Sequence, residues 1–350
     1  MPCNEGDIKS KFLTIRWSDG TGGSPVDDGT RPLPDPTAYW ESPDLWLSGG
    51  IDKAKAKVGV PNQIWARVYN FGPKPVTGIN VEVWVCNFML GVNPASSLPS
   101  SNPGNAPMTG FYPGTVNSGS SADIQVSGAP MPCPPPSGPT TTDWCPTGAD
   151  AGTNGGHVCM AGNCYGDNND SGASFTGTDM KFLCNCHHGQ RNIAVVAVPM
   201  GQMHHFQFDM FAANPEPQRV LETVVTMRRV QIDIDKDFDP KLRRLLLDSP
   251  HAVAGATAEA VNLAPDLGGG LLRPATLSPA LIGFRRPGGV IDPGTPLKLT
   301  LRPHQQELIE AHVQFSPRER PGSVHAFDLV EHETTGAIVG GARLITILTP

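Results

Sequence analysis

Charge is scarce in this 350-residue chain: Asp, Glu, Lys and Arg together are 17%, where about 25% is usual. The net charge is −7 and no stretch forms a basic block, so the electrostatic footprint of a nucleic-acid binder is missing. No apolar run approaches the ~20 residues of a membrane-spanning helix. The Ala-, Glu-, Lys- and Leu-rich composition of a coiled coil or helical bundle is absent too. There is no G-x-S-x-G elbow, no phosphate-binding P-loop and no dinucleotide-binding glycine fingerprint, and His204-His205 lacks the Glu of an H-E-x-x-H helix. Met1-Pro2-Cys3-Asn4-Glu5-Gly6-Asp7 shows no apolar core of a secretory leader.

Gly (39) and Pro (36) are abundant, close to twice the roughly 12% that the two average together. Short strands and long loops fit that balance. In Gln63-Ile64-Trp65-Ala66-Arg67-Val68-Tyr69-Asn70 the residues Ile64, Ala66 and Val68 alternate with Trp65, Arg67 and Tyr69, the period of a half-buried strand. Phe71-Gly72-Pro73-Lys74-Pro75 is a turn. Ile79, Val81, Val83 and Val85 then share one face of a second strand. The stretch from Gly91 to Gly155 is Pro-, Ser- and Gly-rich, with Ala122-Asp123-Ile124-Gln125-Val126 its one strand-like run. His157-Val158-Cys159-Met160-Ala161 and the apolar Ile193-Ala194-Val195-Val196-Ala197-Val198 follow, the latter read as a central strand. Beyond Pro199, strand patterns recur near 206–211, 224–234, 297–301, 308–315, 326–330 and 338–348. One helix is expected over 239–247, with Asp239 as its cap and Pro240 in its first turn. Gly340-Gly341 marks a bulge or a close backbone approach. The expected fold is all-β: two immunoglobulin-like antiparallel β-sandwiches with long Pro/Gly-rich loops and one short helix. Residues 1–40 form an arm that leads into or drapes on the first sandwich, 41–200 the first sandwich and 201–350 the second.

Eight cysteines stand at 3, 86, 133, 145, 159, 164, 184 and 186, six of them between Cys133 and Cys186. An even, clustered set implies disulfides in an oxidising compartment, or a metal site. For a metal the candidate ligands are His157, Cys159, Cys164, Cys184, Cys186 and His187, with zinc as the ion their thiolates and imidazoles suit. The spacing lacks paired C-x2-C knuckles, and six cysteines allow 15 pairings, so both readings stay open. Cys184 or Cys186 acting as a nucleophile with His187 or His188 is disfavoured, since nothing supplies an orienting third group. Asp167-Asn168-Asn169-Asp170-Ser171-Gly172 matches half a calcium loop, but position 12 is Thr178. Asp233, Asp235 and Asp237 would share one strand face and repel unless a cation such as calcium or a basic neighbour neutralises them. The segment Gly162 to His188 holds few core-forming side chains, so crosslinks, disulfide or thiolate–metal, at Cys164 and at least one of Cys184 and Cys186 are expected to order it.

Ser42-Pro43-Asp44-Leu45-Trp46-Leu47 and then Val58-Gly59-Val60-Pro61-Asn62-Gln63-Ile64-Trp65, running on to Gly72, resemble the opening of bacterial immunoglobulin-like modules of the CARDB type. Val81-Glu82-Val83-Trp84-Val85 is similar to their third strand. Trp144-Cys145-Pro146, His157-Val158-Cys159-Met160-Ala161 and Gln190-Arg191-Asn192-Ile193 are similar to their end. The resemblance covers about 40–198, with the cysteine-rich insertion as its departure. It implies adhesion, scaffolding or ligand display without catalysis, and no cofactor. Zinc bound by the insertion, with a hydrolytic role, is the alternative. The expected partner is a protein or another copy of the chain, engaged through sheet edges and the Pro-rich segment 93–139. The cysteines favour an extracellular or cell-surface setting, and the missing leader keeps a cytoplasmic assembly open.

Overall fold

A computed structural model describes residues 3–20, 24–34, 37–48, 56–98, 101, 103–151, 157–177, 179–199, 205–230, 273–275, 279, 281–319 and 322–349. The helix expected over 239–247 and the aspartates at 233, 235 and 237 lie outside these residues.

The protein is all-β. In the first unit the strands are β1 (Leu13–Thr14), β2 (Leu45–Ser48), β3 (Gln63–Asn70), β4 (Val76–Asn87), β5 (Met108–Val116) and β6 (Ser121–Val126). After them come β7 (Met131–Pro132), β8 (Thr140–Thr141), the four-residue helix α1 (Gly148–Ala151), β9 (Val158–Tyr165) and β10 (His188–Arg191). One sheet is built on β3, which pairs antiparallel with β1, β2 and β6. The facing sheet has the order β10-β9-β4-β5. Between them lie Leu45, Ile64, Ala66, Val68, Val81, Val83 and Val85, all nearly or wholly without solvent contact. The period-two pattern of 63–70 is thus the sandwich's inward face, and Trp65, Arg67 and Tyr69 look outward.

The second unit follows with β11 (Ile193–Pro199), β12 (His205–Ala213), β13 (Leu221–Val230), β14 (Arg273–Pro274) and β15 (Leu281–Arg285). The last four are β16 (Leu297–Leu301), β17 (Gln306–Gln314), β18 (Ser323–Glu333) and β19 (Ile338–Thr349). Its sheets run β11-β19-β18-β13-β16 and β12-β17-β15 around Phe208, Met210, Leu299, Ile309, Phe327 and Leu344.

Three expectations need revision. Residues 193–199 do not sit centrally in the first unit: β11 pairs in parallel with β19, at the end of the second unit's sheet. Its continuous apolar run is the pattern of a parallel strand, which periodicity cannot assign to one sheet or the other. The Pro/Gly-rich stretch after Gly91 holds β5 besides β6. β5 contains Gly110, Pro113 and Gly114, which hide a strand from sequence, and Pro is tolerated because β5 ends its sheet. The arm is no revision, since it supplies the lead strand β1 on β3, with Leu13 and Ile15 fully buried in the first core. Arg16 forms a bidentate pair with Asp44, and Arg31 one with Asp27. The third revision, Cys164, is taken up with the site below.

A third core fuses the units. Trp40, Trp84, Cys86, Met89, Cys159, Met180, Phe182, Ala213, Val330 and Ile338 form one cluster drawn from the arm, both sandwiches and the insertion. After β4 the chain runs on beside β12, with Leu90 N donating to Phe211 O and Phe211 N to Phe88 O. Asn192 clasps the junction. Its Nδ2 donates to Met89 O at 2.6 Å and Gly341 O at 2.9 Å, and its backbone bonds Trp40 O and Arg343 N. Gly340-Gly341 is the close approach expected: a Cβ on Gly340 would fall inside the carbonyl of Leu90, and one on Gly341 would meet the Trp40 ring at 2.6 Å.

Candidate functional site

The six cysteine and histidine candidates do not converge on one centre among the described residues. Cys184 is bonded to Cys3, so the arm and the insertion are stapled across 181 residues. The backbone repeats the tie: Lys9 N donates to Cys184 O, Cys186 N to Lys9 O, and Ile15 N to Cys186 O. A second disulfide, Cys133–Cys145, closes the hairpin of β7 and β8. Cys164 is a buried free thiol rather than a crosslink, which corrects the expectation for it. It lies beside Cys186, whose Sγ donates to Leu13 O at 3.5 Å. His157 sits between the Phe88 and Phe208 rings at the unit junction, away from the insertion. His187 has Nε2 2.7 Å from Asp170 Oδ1 and Nδ1 2.7 Å from Asn185 Oδ1. Among the described residues no three His, Cys, Asp or Glu side chains gather as a metal site would require.

The insertion is held by polar groups turned inward. Buried Glu82 accepts from Asn163 Nδ2 (2.8 Å), Phe175 N (2.9 Å) and Ser174 Oγ (2.6 Å). The half-matching calcium loop spends its side chains the same way: Asn168 accepts from Thr77 N, Asn169 donates to Pro75 O, and Asp170 accepts from Gly166 N. Met180 and Phe182 add apolar burial. Burial drives the titration of this region. It pushes the Cys86 thiol up to about 12 and Cys159 and Cys164 well above the ordinary range, and it lowers His188 to about 3. Groups so shifted hold a neutral, dry interior and are poor nucleophiles or bases.

The outward face of the β3 sheet is different. Trp46 and Trp65 are cross-strand partners with rings 6.2 Å apart and 11° from parallel. The Arg67 guanidinium lies 5.7 Å from the Trp46 ring and forks onto Asp123 at 2.6 and 2.8 Å. Arg16 covers the Tyr69 ring at 3.9 Å, and Tyr69 stacks on Phe71. Gln125, in register with Trp65, donates to Asp143. These side chains are ordered by one another, and Trp46, Trp65, Arg67 and Tyr69 remain partly open to solvent, whereas Arg16 is buried. The signal for them was present in sequence, as aromatic residues on the solvent side of an alternating strand. A cleft of about 720 Å³ between the arm and the second unit has a charged wall that is already closed on itself, since Asp328 accepts from both Arg228 and Arg343.

No protein-family model matches the chain, and no curated protein sequence matches it. Among solved structures, the transglutaminase of red sea bream aligns at a TM-score of 0.20 with 9% identity, over 88% of this chain and 31% of that one. The CupB6 tip adhesin of Pseudomonas aeruginosa aligns at 0.21 with 9% identity, over 88% and 97%. The collagen adhesin CNA of S. aureus aligns at 0.19 with 8% identity, over 89% and 93%. At such scores none of them assigns an activity to this chain.

Proposed function

We propose that this is a non-catalytic binding or structural protein of the adhesion or scaffold kind, in which the cysteine/histidine-rich insertion is a staple and the outer face of the β3 sheet is the working surface. The observation that carries the reading is the ladder of Trp46, Trp65, Arg67 and Tyr69. Trp, Tyr and Arg are the residue types that dominate protein-binding hot spots. Here they are pre-ordered by stacking and ion pairing, so little side-chain freedom is lost on contact. The fused core supports the same reading, because a rigid two-sandwich body presents such a face in a fixed direction. The two disulfides fit an extracytoplasmic setting.

The partner proposed is a protein surface, with another copy of the chain as the first tested. Sedimentation velocity over a wide concentration range should show association that is lost in the Trp46→Ala/Trp65→Ala variant while its melting temperature stays near that of the parent. A chain that remains monomeric throughout, or a variant that associates as before, refutes this working surface for self-assembly.

A further inference from the structure

The four thiols left outside the two disulfides are not scattered. Cys86 on β4 stands directly opposite Cys159 on β9. Opposed residues in an antiparallel pair have Cα atoms about 4.5–5.5 Å apart, inside the roughly 4.4–6.8 Å that a disulfide spans. Their Cβ atoms leave the same side of the sheet. Neither residue has any solvent contact, and both lie in the core shared by Trp40, Trp84, Met180 and Phe182. Their polar contacts are weak: Cys86 Sγ donates to Asn93 O at 3.6 Å, and Gln190 Nε2 donates to Cys159 Sγ at 3.7 Å. Closing a bond between them would sacrifice little.

We propose that Cys86 and Cys159 form a third disulfide site, closed by a low-molecular-weight disulfide such as glutathione disulfide while the shared core is still open, and sealed from oxidants once that core has packed. In the first step one cysteine thiolate attacks a sulfur of the oxidant, releasing one glutathione thiol and leaving a mixed disulfide. In the second, the partner thiolate attacks the cysteine sulfur of that mixed disulfide and expels the second glutathione. Two protein S–H bonds are lost, one S–S bond forms, and the oxidant is reduced to two thiols that take up the two protons. The raised thiols of the folded protein supply almost no thiolate, so the exchange belongs to the folding chain.

The test uses the full chain in two arms. In one it is reduced, unfolded and refolded in a glutathione redox buffer; in the other it is folded under reductant and then placed in the same buffer without unfolding. Both are alkylated in denaturant and mapped by peptide mass spectrometry. The refolded arm should contain the Cys86 peptide linked to the Cys159 peptide, two hydrogens lighter than the sum of the two. The folded arm should carry alkyl groups on both residues. In the Cys86→Ala variant Cys159 should be alkylated in either arm. The proposal is overturned by alkylation of both residues in a refolded chain that has its Cys3–Cys184 and Cys133–Cys145 bonds, or by linkage of Cys86 to any other cysteine. Equal linkage in both arms overturns the sealing. Should refolding give no soluble protein, the same map of chain secreted into an oxidising bacterial periplasm decides between linked and alkylated Cys86.

Discussion

Replacing Asn192 by Ala probes the fusion of the two sandwiches at its narrowest point. The side chain is fully buried, and its Nδ2 is the donor to two carbonyls, Met89 O at 2.6 Å and Gly341 O at 2.9 Å, one from each unit. Among the described residues its Oδ1 has no partner, so the polar loss falls on the two acceptors. Leaving a buried acceptor unsatisfied costs about 1–3 kcal/mol, and neighbouring backbone can relax only a little around Gly341 because Trp40 packs on it. The expected loss is about 3 kcal/mol, which for a chain of this size lowers the melting temperature by about 4 °C. Asn192→Asp should be worse than Asn192→Ala, because it sets an oxygen against two carbonyl oxygens where a donor stood. Differential scanning calorimetry reads both the midpoint and the number of transitions. A midpoint for Asn192→Ala within about 1 °C of the parent, or Asp tolerated better than Ala, refutes the clasp.

Three further outcomes follow from buried groups and close contacts. Glu331, wholly buried where Thr223 Oγ1 and Ala213 N donate to it, is pushed by desolvation from its ordinary 4.5 to about 7. Its folded value is the higher one, so its contribution is complete below about pH 4.5 and is lost as pH rises through 7, a change of about 3 kcal/mol. The stability of Glu331→Gln relative to the parent should therefore rise between pH 4.5 and 7.5 in denaturant titrations. His188 behaves oppositely: burial lowers it to about 3, so its contribution is complete above pH 6.5 and is lost as pH falls toward 3. His188→Asn, which keeps an acceptor for Lys181 N, should lose stability less steeply on acidification, as followed by near-UV circular dichroism. Gly340→Ala should destabilise by about 2–3 kcal/mol, since the new methyl meets the Leu90 backbone rather than a side chain that can turn away; an unchanged urea midpoint would count against the close approach.

What was legible in sequence alternated in residue type along the strand. Residues 63–70 and 79–85 read correctly because Ile64, Ala66, Val68 and Val81, Val83, Val85 alternate with residues of another kind or environment. β5 did not, because Gly110, Pro113 and Gly114 replace the side chains that would have shown a period. The sheet to which 193–199 belongs depends on a partner strand, β19, far along the chain, and no local pattern encodes that. Cysteine pairing was likewise left open by the sequence. Neither bond was legible: Cys133–Cys145 is local but was one of many open pairings, and Cys3–Cys184 required knowing that the arm runs beside the insertion. The clustering of Cys159, Cys164, Cys184, Cys186 and His187 suggested a common centre, yet strand pairing points Cys159 at Cys86 and a disulfide takes Cys184 to the arm. The outward Trp65, Arg67 and Tyr69 were visible as the second half of an alternation. Only the register of β2 on β3, setting Trp46 against Trp65, turned them into a continuous face.

The proposal that the insertion is a staple and not a metal centre is tested most directly by native mass spectrometry of chain purified without chelator, with cysteine alkylation in denaturant on the same sample. The account predicts the mass of the polypeptide less two hydrogens for each disulfide, no metal adduct, and Cys3, Cys133, Cys145 and Cys184 protected from alkylation until reduced. One zinc per chain that leaves only on chelation, with Cys184 alkylated without reductant, would contradict it and make the insertion a metal centre.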